Sequence, residues 1–325
     1  MIRNADVSRL KVFFHDACFD GTTSAALFSA FYRDTVGQDT TIEAVGMVHK
    51  DGDPFDGIPL DADDHACVDF RFCADPKMRW WFDHHPTAFQ PPTLRAVYER
   101  DHVETWIFDP RAPSCAGLIA RSLEAKWGWQ APPRLRDAVV WADKIDAAQF
   151  KSAEDAIALV EPAQRLAAWL AHGRSGLDTA RYIEWLSRSS LDEVAERHEL
   201  RPALQEIADE RAGELEAVTK LGVWHGDVVM FDRIDDVGAR SPGFLAYQLF
   251  PTSLYTVSAT RTPTSIKISV GVNPWGGKQR RHDLGEMCAR YGGGGHAVVG
   301  GVTLRADELA RARETMRAMI AELES

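Results

Sequence analysis

Asp83-His84-His85 follows the apolar run Trp80-Trp81-Phe82 and is closed by Pro86. A carboxylate and two imidazoles in tandem suit a borderline-hard divalent cation such as Mn²⁺, Fe²⁺ or Zn²⁺. The tripeptide alone is equally compatible with a polar surface turn, which Pro86 would mark. Other segments decide between the two. Leu10–Phe14 runs into His15, Asp16 and Asp20, Ala66–Val68 into Asp69, and Thr105–Phe108 into Asp109. Four apolar runs therefore lead into acids, and buried strands tipped with unpaired carboxylates are costly unless a cation gathers them. Asp143 and Asp146 lie three residues apart, close enough to share a helical face. Far downstream stands Tyr291-Gly292-Gly293-Gly294-Gly295-His296, where the missing side chains let backbone N–H groups approach an anion.

These residues need elements to position them. Three apolar residues in a row read as a strand buried on both faces, as in a parallel sheet, whose carboxyl edge is where α/β proteins place ligands. Strands are expected at Leu10–Phe14, Ile42–Val48, Ala66–Phe70, Trp80–Phe82 and Thr105–Asp109. Asp20-Gly21 reads as a tight turn, with the hydroxyl residues Thr22–Ser24 capping a helix that follows. Further helices are expected after Ser114, ended by Trp127-Gly128-Trp129, and after Pro132-Pro133. From about Glu161 to Lys220 the chain reads as helical, charged and solvent-exposed, a connector between domains. Past Gly222 the alternation of Val223–Phe231, Thr256–Ala259 and Ile266–Val272 predicts a smaller sheet, with a final strand near Val302 and a closing helix from Asp307 to Leu323.

Length and composition set bounds. A chain of 325 residues fits two domains. Its 45% hydrophobic and 26% charged residues are those of a globular protein. No stretch has the apolar length of a membrane span, and the five scattered cysteines fit a reduced cytoplasm. A net charge of -11 argues against a general nucleic-acid coat protein. The motifs of P-loop NTPases, zincins and serine hydrolases of the G-x-S-x-G type are missing.

The order of these motifs, from His15 to His296, resembles the DHH–DHHA1 phosphoesterase family over nearly the whole chain. The resemblance implies an α/β protein with an N-terminal parallel-sheet DHH domain (1–188) that binds metal and catalyses. A helical connector (189–220) would lead to a smaller C-terminal α/β DHHA1 domain (221–325) that covers the cleft and binds substrate. Members include nano-RNases, bisphosphate-nucleotide phosphatases and RecJ-like and exopolyphosphatase-related proteins, usually with two Mn²⁺ ions and a metal-activated water as nucleophile. By resemblance, His15, Asp20, Asp69, His84 and one of Asp143 and Asp146 are metal ligands, Asp146 having the better claim from Asp146-Ala147-Ala148-Gln149-Phe150. Asp83 would be a bridging or second ligand and His85 would lie near the leaving group, so Asp83, His84 and His85 form the expected catalytic set. Gly293, Gly294, Gly295 and His296 would hold the far end of the substrate, with Arg280 and Arg281 as basic neighbours.

Two departures are visible. Cys18 stands where the family commonly has an aspartate, which makes it a soft ligand or leaves that position to Asp16 or to weak occupancy. The family's Arg-Ser pair before the glycine run is replaced by Ser269–Trp275, so a phosphate-gripping arginine must come from Arg240, Arg261, Arg280 or Arg281. The expected activity is hydrolysis of phosphoester bonds in short oligonucleotides, dinucleotides or similar small substrates. Neither a membrane nor a stable duplex partner is expected, and a homodimer is compatible with the resemblance. A nucleotide sensor with a weakened metal site on the same fold is the alternative.

Overall fold

The computed structural model describes residues 8–50, 52–172 and 179–325. The chain begins with β1 (Arg9–His15), α1 (Phe19–Thr35), β2 (Thr41–Met47), β3 (Asp64–Val68), β4 (Trp80–Asp83), α2 (Thr93–Asp101), β5 (Trp106–Phe108), α3 (Cys115–Trp127) and α4 (Pro133–Asp146). Helices α5 (Ala153–Ile157), α6 (Pro162–His172), α7 (Thr179–Arg188), α8 (Leu191–Ala195) and α9 (Arg201–Leu221) follow. The last part contains β6 (Val223–His225), β7 (Val228–Val237), α10 (Leu245–Leu249), β8 (Tyr255–Arg261), β9 (Ser265–Val272), α11 (Leu284–Ala289), β10 (Gly294–His296), β11 (Val299–Arg305) and α12 (Leu309–Leu323). These elements form two compact units, 1–48 with 55–149 and 159–207, and 49–54 with 150–158 and 208–325.

The first unit is built on a five-stranded, all-parallel sheet of order β2-β1-β3-β4-β5. Its central strands are mostly apolar, with buried Lys11 in β1 and Asp64 and His65 in β3, because each face meets a different core. Leu10, Val12, Phe14, Ala66, Val68, Trp80 and Phe82 face one core, and Phe13, Cys67 and Trp81 face the other. Helix α1 is buried from Phe19 to Tyr32, as a helix wrapped by other elements must be. It starts earlier than the sequence suggested: Asp20 and Gly21 lie in its first turn rather than in a tight turn before it. A Cβ at Gly21 would stand 2.2 Å from the His15 carbonyl oxygen, so glycine is what lets α1 pack on the end of β1. The stretch expected to be an exposed connector is helical, and its first part buries Leu191, Val194, Leu200 and Ile207 in the α1 core.

In the second unit the sheet is six-stranded and mixed, of order β10-β11-β9-β8-β7-β6, with β7 and β8 parallel and the other pairs antiparallel. Helices α11 and α12 cover one face through Leu284, Met287, Met316 and Ile320. Val218 of α9 and Leu245 of α10 pack with Val229 and Phe231. The glycine run is not only a loop: Gly294, Gly295 and His296 form β10, paired with Gly301, Gly300 and Val299 of β11.

Candidate metal centre

Parallel strands β1, β3 and β4 end at the same edge of the first sheet and deliver His15, Asp69 and Asp83 there. Asp69 lies just past β3 with φ at 56°, a left-handed conformation uncommon for a residue other than glycine. It is held there because its N–H donates to the Phe82 carbonyl (2.9 Å) and the Trp81 indole N–H donates to the Phe70 carbonyl (2.9 Å). Both Asp69 carboxylate oxygens are buried with no hydrogen-bond partner among the described residues. Oδ2 lies 3.6 Å from His15 Nδ1, and Oδ1 lies 3.5 Å from His84 Nε2.

His84 is the hub. Its Nδ1 lies 2.9 Å from the Ala112 carbonyl oxygen, which can only accept, so Nδ1 is protonated and Nε2 is the nitrogen turned to the carboxylates. That Nε2 lies 3.5 Å from each of three carboxylate oxygens, Asp20 Oδ2, Asp69 Oδ1 and Asp146 Oδ2. Donors that share one ion at about 2.1 Å stand roughly 3 to 3.5 Å apart, which matches this spacing. Asp20 is set by a device the sequence did not disclose. Its Oδ2 accepts from the Cys115 N–H (2.7 Å) and its Oδ1 from the Ala116 N–H (2.9 Å), so the first turn of α3 grips the carboxylate. The Ser114 cap of α3 is readable in the sequence; the direction in which that helix end points is not.

Of the pair left open on α4, the structure brings Asp146 into the cluster with Asp20 and His84. Asp143 stands outside it, accepting from the Ser114 hydroxyl at 2.5 Å, with Arg121 at 3.8 Å. Asp109, counted among the acids at strand ends, is likewise spent elsewhere: its Oδ1 accepts from the Arg111 N–H and Nε–H. Asp16 accepts from the Ala17 N–H through Oδ1 and packs towards Gly46. Cys18 itself is present in the cluster, its sulfur grouped with donor atoms of His15 and Asp69 within 4.8 Å of one another. Asp83 Oδ1 accepts from the His84 N–H (2.8 Å) and lies 2.7 Å from His85 Nδ1, while its Oδ2 is buried without a partner among the described residues. Asp69, not Asp83, is the carboxylate that faces both His15 and His84.

The electrostatics reflect this crowding. Burial, then the neighbouring Asp69 and Asp146 carboxylates, push Asp20 well above the usual carboxylate range. Burial likewise raises Asp146, the nearby imidazoles opposing it. Burial would also raise Asp69, but His15, His84 and His85 outweigh it and hold that carboxyl far below its ordinary value. Burial disfavours a charged His84, yet Asp69, Asp20 and Asp146 push its pKa up to about 11. A divalent cation would supply the positive charge that two buried carboxylates and a third, partly buried one call for, and the donor set of carboxylates and imidazoles fits one. In the second unit, Arg281 and Lys278 are tied to Asp227, and Arg280 donates to the His282 carbonyl.

No protein-family model matches the sequence, and no curated protein matches it significantly. Solved structures do. A pGpG-specific phosphodiesterase, PggH of Vibrio cholerae, superposes with a TM-score of 0.64 at 19% identity, over 97% of this chain and 98% of the other. A DHH domain described as a member of the s1p family of ribosomal proteins gives 0.58 at 14% identity, over 98% and 87%. The fold is that of the DHH phosphoesterases. RecJ of Thermus thermophilus, solved in complex with Mn²⁺, gives 0.52 at 15% identity and covers 97% of this chain but only 52% of its own. Among the described residues, no helix of this DHH fold is long and apolar enough to cross a membrane.

Proposed function

We propose that the chain is a metal-dependent phosphodiesterase that cleaves short linear nucleotides, a linear dinucleotide being the first substrate to try. The observation that carries this reading is the meeting of three carboxylates, Asp20 and Asp69 buried and Asp146 partly buried, at 3.5 Å around His84 Nε2. His15, Cys18 and Asp69 would hold one divalent ion and Asp20, Asp69, His84 and Asp146 a second, for which the RecJ likeness favours Mn²⁺. Such ions, when bound, neutralise phosphate oxygens and lower the pKa of a coordinated water.

The remaining chemistry belongs to the chain. The Ala112 carbonyl accepts from His84 Nδ1 and so turns Nε2 towards the carboxylates, where it would give up its proton on binding a metal. Asp83 is a positioning residue that orients His85 through Nδ1. His85, pushed up to about 9 by Asp83 and Asp69 against the pull of burial, carries a proton at neutral pH. We assign it the task of hydrogen-bonding or protonating a phosphoryl or leaving oxygen. Gly293–His296 remain the proposed phosphate contact of the second unit. Arg280 and Arg281 are proposed only as weak contributors, since their guanidinium groups already have protein partners.

The likeness to a pGpG-specific enzyme supports trying linear dinucleotides first. The test is release of mononucleotide from a panel of linear dinucleotides, cyclic dinucleotides and nucleotide bisphosphates, with Mn²⁺ and after exhaustive chelation. Hydrolysis should be fastest on linear dinucleotides and should stop on chelation. Unchanged turnover in protein shown by metal analysis to be empty would overturn the reading. Tight nucleotide binding without any turnover would favour the sensor.

A further inference from the structure

Cys18 precedes α1 and is partly exposed, whereas Cys67, Cys73, Cys115 and Cys288 are buried. Its sulfur shares a 4.8 Å neighbourhood with donor atoms of His15 and Asp69. Asp69 is 1% exposed and its carboxylate oxygens lack hydrogen-bond partners among the described residues, so a buried acceptor aims into the same small volume as the sulfur. Among the described groups of potential ligands around His84 and Asp69, this one alone contains sulfur. Thiolate favours softer ions, whereas carboxylate-rich positions suit Mn²⁺.

We propose that Cys18 Sγ is a ligand that makes the two positions unlike. With His15 and Asp69 it forms a sulfur-containing position selective for Zn²⁺ or Fe²⁺, while Asp20, Asp69, His84 and Asp146 form an oxygen-rich position for Mn²⁺. The sulfur gives its proton to solvent as it binds. This rests on the metal-centre reading above and adds to it the identity of the ion at each position. Exchange of Cys18 for a carboxylate should make both positions accept Mn²⁺.

The experiment is a Co²⁺ titration of the metal-free chain followed by absorption. Thiolate ligation gives a near-ultraviolet charge-transfer band that oxygen and nitrogen ligands do not, while the visible d–d bands report binding whatever the ligand. The band should saturate at one equivalent, be abolished by Zn²⁺ and be absent in Cys18→Ser. In the wild-type chain Zn²⁺ should also slow alkylation of Cys18 at least tenfold, a measurement that needs no variant. Mass analysis after Mn²⁺ loading should find one tightly held Mn²⁺ in the wild type and two in Cys18→Asp. Visible bands without the charge-transfer band, or an equal band in Cys18→Ser, would overturn the thiolate assignment and leave the metal centre standing. No cobalt binding at all would sink both.

Discussion

Asp143 and Asp146 look interchangeable in the sequence, three residues apart at the end of one helix, yet their side chains do different work. Asp146 faces His84 Nε2 at 3.5 Å, and Asp143 braces the Ser114 hydroxyl that caps α3. Asp146→Asn should therefore weaken Mn²⁺ binding by a hundredfold or more with little change in the metal-free melting temperature. Asp143→Ala should leave metal stoichiometry intact and cost about 1 kcal/mol, the usual worth of one partly buried hydrogen bond. Isothermal titration and urea unfolding of the two variants would check this; the reverse pattern would reassign the ligand. The raised His84 adds a pH dependence. Burial lowers its pKa but Asp69, Asp20 and Asp146 raise it further, to about 11, so in the metal-free chain it holds a proton at neutral pH. A ligating Nε2 must lose that proton. Mn²⁺ affinity should then rise with pH across the range from 6 to 9, by up to about tenfold per pH unit for each proton displaced. Titrations in buffers of differing ionisation enthalpy would count the protons, and affinity flat in pH would refute the ligand role.

At the scale of elements, the strands were legible because short apolar runs, most of them ended by an acid, suit a sheet buried on both faces. Phe13, Cys67 and Trp81 face one core and their neighbours the other, as a parallel sheet covered on both faces demands. The sheet edge and most of the acids on it followed from those runs. What the sequence could not disclose was direction. Ser114 announces a helix start, but that this start aims its N–H groups at Asp20, 95 residues earlier for Cys115, is a fact of tertiary packing. The glycine run was likewise read for its freedom and not for its packing. A Cβ at Gly293 would lie 2.0 Å from the Gly301 carbonyl oxygen, and one at Gly285 would lie 2.6 Å from that of Gly295. The β10–β11 hairpin thus presses against α11, and glycine serves close approach as well as any anion. Gly285→Ala should destabilise the second unit by roughly 1 to 3 kcal/mol through overpacking, while metal content stays at the wild-type value. Loss of metal in that variant would contradict the assignment of all proposed ligands to the first unit.

The whole molecule carries its proposed metal ligands in one unit and a net charge of -11 over the chain. Metal binding should accordingly raise the melting temperature of the first unit, since a ligand present at 100 times its Kd stabilises the folded form by about 2.7 kcal/mol. Calorimetry with and without Mn²⁺ should show that transition move while the other stays. Charge also bears on what reaches the site. A strand with many phosphates meets a protein of the same net sign, and a net charge of -11 favours no extended release of its counterions. A dinucleotide brings only a few charges, which the proposed metals neutralise. The value of kcat/KM should therefore fall from dinucleotide to long single strand, and the gap should narrow as salt rises, because screening weakens repulsion more than it weakens contact at the ions. That sign is the useful one. Binding driven by phosphate contacts along a strand weakens with salt, so turnover of the long strand that drops on salt addition would reveal an extended nucleic-acid track and overturn the preference for short substrates.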